Sequence, residues 1–181
     1  YTGMQSARVS MNRLKNLKSK VSCHYFIKRN GNVYRMVEDN KIAWHAGKSK
    51  WKNFKNLNEN SIGIELVNKG HKFGYEKFPN AQIKKLISLC LRLKSKYKIK
   101  TSNIIGHSDI APLRKKDPGE KFPWKRLYKK QLGIWFENFK YKPKLGEEKL
   151  KRLFFRNLFK IGYRYFSKSK RSSKDILIVK A

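Results

Sequence analysis

The stretch HSDIAPLRKKDPG (107–119) carries an imidazole at His107, an ammonium at Lys115 and a carboxylate at Asp117, on chain that two prolines and a glycine bend into turns. Imidazole and carboxylate are both good Zn²⁺ ligands, with bonds of about 2.0–2.2 Å. The separation of His107 from Asp117 is too long for one helical face, but a loop folding back on itself brings both groups to one ion. On spacing alone, an Asp117 that caps the Pro118-Gly119 turn beside a solvated Lys115 is the alternative. Glu65 is the acidic residue of the apolar run SIGIELVN (61–68). Burying an unpaired carboxylate is costly, so Glu65 either faces solvent or is used. Partly desolvated beside a metal, it would have a raised pKa and could accept a proton from water. Trp44, His45, Ala46 and Gly47 place a flat ring and an imidazole beside two small residues, which suits a cleft wall against a sugar or peptide and equally a tight core turn. His24, between β-rich neighbours, reads as a core imidazole bonded internally. His71, in a Lys/Gly/Phe loop, reads as exposed.

These groups need elements to hold them. Residues 7–20 put Val9, Met11, Leu14 and Leu17 at helical spacing. VSCHYFIKRNGNVYRMV (21–37) has two β-rich runs around Asn30-Gly31-Asn32, a hairpin signal. Residues 48–60 and 69–78 read as loops, and SIGIELVN as a strand buried in the middle of a sheet. Residues 80–97 give the clearest helix, with Ile83, Leu86, Ile87, Cys90, Leu91 and Leu93 on the buried side. TSNIIGH (101–107) reads as a short strand ending at a histidine, followed by irregular backbone. Residues 141–147 resemble a linker. EEKLKRLFFRNLFKIGYRY (147–165) then makes a basic, aromatic helix ending at Gly162, KSKRSS a solvated turn, and DILIVKA the start of another element.

A chain of 181 residues with 39 % apolar content, 11 Phe, 9 Tyr and 4 Trp can build a real core, which excludes disorder as a description of the whole. The net charge of +33 attracts polyanions of any kind, whether nucleic acid, acidic lipid or charged cell-wall polymer, and lysine-heavy usage also follows from codon bias. Cys23 and Cys90 form no metal-ligand cluster and read as buried free thiols, with a single disulfide the alternative. No apolar run approaches the ~20 residues needed to span a bilayer.

Taken together, YTGM (1–4), residues 21–37, AWHAG (43–47), NSIGIELVN (60–68) and GHSDIAPLRKKDPGEKFPW (106–124) resemble, in order, the type 2 N-acetylmuramoyl-L-alanine amidases, a superfamily shared with the peptidoglycan recognition proteins. The tail after residue 147 is similar to the opening of the small helical module of the AmiD branch. The resemblance implies an α/β fold with a central mixed β-sheet flanked by helices. It implies a catalytic domain at 1–140, a linker at 141–147 and an incomplete helical peptidoglycan-binding-like module at 148–181. It also implies Zn²⁺ as cofactor and hydrolysis of the lactyl–L-Ala amide bond of peptidoglycan or muropeptides, in the bacterial cell envelope ahead of the cytoplasm. His107 and Asp117 match two zinc ligands, Glu65 the catalytic base, Lys115 the lysine that stabilises the transition state, and Trp44 and His45 the cleft lining. The third ligand of the family is a histidine directly before YTG. Here Tyr1 comes first, so a fragment is expected, with His45 the nearest stand-in ligand otherwise. Rival readings are a non-catalytic peptidoglycan-binding domain and, remotely, a nucleic-acid-binding protein, although no RNP motif, zinc-finger spacing or recognition helix is present.

Overall fold

The computed structural model of the chain describes residues 1–136, 146–166, 172 and 175. A three-stranded mixed sheet lies at its centre, in the order β2-β1-β5. Strand β1 (Tyr25–Ile27) pairs antiparallel with β2 (Val33–Arg35) and parallel with β5 (Ile64–Leu66). The β1–β2 turn needs Gly31 at φ +90°, where a Cβ would also meet the Ala81 carbonyl oxygen at 2.9 Å. SIGIELVN thus forms a strand beside β1 rather than the central one, and residues 1–3 line its outer edge. Thr2 N–H donates to the Leu66 carbonyl at 2.9 Å and Gly3 N–H to that of Asn68 at 3.0 Å.

Alternation along β1 sends neighbouring side chains to opposite faces. Tyr25 and Ile27 join Leu66 in the main core, against Ile83, Leu86, Ile87, Cys90 and Leu93 of helix α3 (Asn80–Lys96). Phe26 goes the other way, with Cys23 and Val67, against Met11 and Leu14 of helix α1 (Ala7–Lys15). The sheet is therefore flanked by a helix on each side, as expected. Both cysteines are free and buried.

Several boundaries differ from expectation. Helix α1 stops at Lys15 because Asn16 turns extended and its side chain accepts from Lys18 N–H. Leu17 consequently lies beyond the helix and is exposed, as is much of Val9. In α3, Leu91 is exposed and Leu89 buried. At 100° per residue, Leu91 falls roughly 130° from the centre of the buried stripe. The 48–60 loop holds a small hairpin, β3 (Lys50–Trp51) with β4 (Phe54–Lys55), and the 69–78 loop a short helix, α2 (Gly70–Phe73). Residues Thr101–Asn103 form a 3₁₀ turn instead of a strand, and His107 opens a helix, α4 (His107–Ile110). After α5 (Trp124–Tyr128), helix α6 (Glu147–Ile161) ends at Gly162 as read from the sequence. Of the expected linker only Gly146 and Glu147 are among the described residues, Glu147 as the first residue of α6; of the expected turn only Ser172 is described, and of the final element only Asp175. No helix among the described residues is long and apolar enough to cross a membrane.

Candidate active site

The loop from α4 to Pro118 does fold back on itself. Ser108 N–H donates to the Asp117 carbonyl at 2.8 Å, and Lys115 N–H to that of Ala111 at 3.0 Å. Pro118 closes on Gly106 so tightly that a Cβ at Gly106 would lie 2.5 Å from the proline ring. Tyr75 holds the far side, donating its hydroxyl to the Pro118 carbonyl at 2.5 Å. The result puts Asp117 Oδ2 3.2 Å from His107 Nδ1.

The other ring nitrogen of His107, Nε2, lies 3.0 Å from the Ala46 carbonyl. A carbonyl only accepts, so Nε2 is the donor there, and Nδ1 is the nitrogen that faces Asp117. A proton on Nδ1, or a metal ion at their common face, holds these two atoms together at that distance. The Tyr1 backbone nitrogen stands beside them, 3.7 Å from Asp117 Oδ2 and 3.6 Å from Glu65 Oε2. Burial pushes the Asp117 carboxyl up, but the His107 contact and nearby positive charge, including Lys115, outweigh it and hold the carboxyl well below its ordinary range.

Glu65 sits on β5 opposite Phe26 and faces this centre, its Oε2 buried with no hydrogen-bond partner among the described residues. Glu65, Lys115, His107, Asp117, Trp44 and His45 all line one groove of about 550 Å³, together with Arg13 of α1 and Phe73 of α2. Trp44 is 49 % exposed there, a ring face open to a ligand. His45 is more enclosed. Its backbone N–H and that of Ala46 donate to Asn58 Oδ1 at 3.0 and 2.7 Å, and its ring packs against Gly63, where a Cβ would come within 2.2 Å of Cγ. Burial, then the neighbouring His24, bring the His45 pKa down to about 4. Among the described residues no third His, Cys, Asp or Glu joins His107 and Asp117 in a metal-sized cluster, so His45 does not take that place.

The two remaining histidines divide. His24 is the internally bonded core imidazole expected, 1 % exposed, accepting from Gly63 N–H and contacting the Lys41 carbonyl, each at 3.0 Å. His71 is partly exposed yet tied in, 2.6 Å from the Tyr1 hydroxyl and 3.0 Å from Glu120 Oε2. Two supports were not foreseen. Arg114 donates to the carbonyls of Ala46 and Lys48, fixing the Trp44–Gly47 turn against α4. Asp109 accepts the Gly106 N–H at 2.7 Å and caps α4. The position of Asp109 in the first turn of a helix was readable in principle, but only once residue 107 is known to start one.

Comparison with known proteins gives the family of the chain. Residues 1–120 match the family model Amidase_2, N-acetylmuramoyl-L-alanine amidase, and the chain belongs to that family. It is 40 % identical over 128 residues to N-acetylmuramoyl-L-alanine amidase AmiD of Escherichia coli, covering 64 % of this chain and 46 % of that protein. It is 41 % identical over 110 residues to 1,6-anhydro-N-acetylmuramyl-L-alanine amidase AmpD of Enterobacter cloacae, covering 60 % and 56 %. The chain thus spans about half the length of these relatives. Among solved structures it superposes on E. coli AmiD in complex with the substrate anhydro-N-acetylmuramic acid-L-Ala-D-γ-Glu-L-Lys, with TM-score 0.79 at 31 % identity over 95 % of this chain and 72 % of that one. AmpDh3 of Pseudomonas aeruginosa in complex with anhydromuramic pentapeptide gives TM-score 0.76 at 28 % identity, over 94 % and 74 %.

Proposed function

We propose that the chain is a zinc-dependent N-acetylmuramoyl-L-alanine amidase unit, hydrolysing the bond between the lactyl group of muramic acid and L-Ala in peptidoglycan or muropeptides of the bacterial cell envelope. The observation that carries this reading is the convergence of His107, Asp117, Glu65 and Lys115 on one groove. Residues 1–140 form the catalytic unit in this reading, 141–147 the linker, and 148–181 the beginning of a helical module that binds peptidoglycan.

The donor set fits zinc. Two ligands of one tetrahedral ion with bonds of about 2.0–2.2 Å stand roughly 3.3–3.6 Å apart, close to the 3.2 Å between His107 Nδ1 and Asp117 Oδ2. The Tyr1 nitrogen lies beside the same face, which is where the side chain of a histidine joined ahead of it would enter as third ligand. When bound, the ion would polarise the scissile carbonyl and acidify a water. Glu65 Oε2, buried beside this face, would accept the proton and deliver it to the leaving L-Ala nitrogen. Lys115 would face the oxygen on which charge develops. Trp44 offers a flat surface to the sugar or peptide, and the neutral His45 a wall.

Substitution tests the assignment. Lys115→Ala should lower turnover on an anhydromuramyl peptide by roughly 10²–10³-fold, as removal of an oxyanion donor does. Glu65→Ala should abolish turnover without loss of zinc, and His107→Ala should lose the zinc. Full activity in both the Lys115 and Glu65 variants would refute the reading. Muropeptide binding with neither zinc nor turnover would favour a purely binding domain instead.

A further inference from the structure

The segment that ends α6 touches the rest of the chain directly behind His107. Gly162 lies flat on Trp51, where a Cβ would come within 2.5 Å of the indole, and its carbonyl accepts the Lys52 N–H at 2.8 Å. Tyr163 stands edge-on to Trp51 with ring centroids 5.2 Å apart, and with Ile161 it packs on the cluster containing Ala46, Ile110 and Ala111. From there its hydroxyl donates to Asp109 Oδ1. The other oxygen of Asp109 accepts the Gly106 N–H. This carboxylate therefore ties the residue just before His107 to the turn just after it, and it is itself anchored from outside by Tyr163. Ala46 of the same cluster carries the carbonyl that receives His107 Nε2–H.

We propose that Tyr163 is a positioning residue for His107: by holding Asp109, its hydroxyl fixes the N-terminal turn of α4, so that the tail beyond α6 is part of what orients the metal-binding imidazole. The inference rests on His107 being a zinc ligand, as proposed above. Its cause is chemical. Without the hydroxyl, Asp109 Oδ1 is a half-buried carboxylate oxygen short of a donor, and the cap can rotate towards solvent to regain one. A ligand whose supporting partner is loosened typically binds its metal about 10–100-fold more weakly.

Tyr163→Phe removes only the hydroxyl and leaves the ring on Trp51. In the full chain, Zn²⁺ affinity measured by competition with a chromophoric chelator should weaken about tenfold or more in this variant. Tyr165→Phe, which removes a hydroxyl of the same tail lying 3.5 Å from the Lys48 carbonyl, should leave it unchanged. An affinity equal to wild type in Tyr163→Phe overturns the inference, and so does a lowered melting temperature with unchanged affinity. Wild-type protein, carrying a histidine ahead of Tyr1, that still binds no zinc refutes the functional reading instead. The inference is then decided by amide exchange at Gly106 and by the ring-nitrogen chemical shifts of His107. Faster exchange with altered shifts in Tyr163→Phe supports it, and identical values overturn it.

Discussion

Each group in the groove is prepared by what its second atom does. His107 has Nε2 committed to a carbonyl, leaving Nδ1 for Asp117 and a cation. Glu65 keeps a buried oxygen without a donor, a costly arrangement that a proton or a polarised water relieves. His45 illustrates the opposite device. Its surroundings favour the neutral ring, with the pKa down at about 4 from an ordinary 6.5. Between those values the unfolded chain binds the proton that the folded one refuses, so stability falls as pH drops through this window. Urea midpoints should therefore decline from pH 7 to pH 4, and His45→Gln should flatten that decline. An unchanged slope in the variant would show that His45 titrates normally. At this scale the sequence was informative where chemistry is dense, since the imidazole, ammonium and carboxylate of 107–119 could be matched as a group. His71 and Arg114 were opaque, because their roles depend on Tyr1, Glu120, Ala46 and Lys48, all distant in the chain.

The elements place these groups by a few specific joints. Gln82 of α3 is fully buried and donates from Nε2 to the carbonyls of Ile27 at 2.9 Å and Val67 at 3.1 Å. It clamps the ends of the parallel strands β1 and β5, one of which carries Glu65. Gln82→Leu takes the side-chain donor from both carbonyls, leaving that of Ile27 with the Val67 N–H alone, and should cost about 1–3 kcal/mol of stability, read as a lower urea midpoint at unchanged slope. A variant as stable as wild type would mean that the clamp is not needed. Periodicity revealed α3 and the β1–β2 hairpin because burial repeats along them and Asn-Gly-Asn marks the turn. It could not reveal β3 and β4, each two residues long, which owe their place to the burial of Trp51. Nor could it show that the run Ile104–Gly106 stays outside the sheet, since its apolar residues Ile104 and Ile105 pack against two different clusters.

Across the whole molecule, sheet, helices and returning loop bring residues from four separate stretches of sequence to one groove, and the end of α6 supports it from behind. The surplus of positive charge, +33 over 181 residues, gives a field that draws polyanions and is screened by salt. The most direct test is product analysis by mass spectrometry. The chain, with a histidine joined ahead of Tyr1, is incubated with Zn²⁺ and anhydro-N-acetylmuramic acid-L-Ala-D-γ-Glu-L-Lys. Free L-Ala-D-γ-Glu-L-Lys and the intact anhydro sugar acid are predicted, and both should vanish in Glu65→Ala. Uncut substrate despite bound zinc, or cleavage at any other bond, would contradict the account.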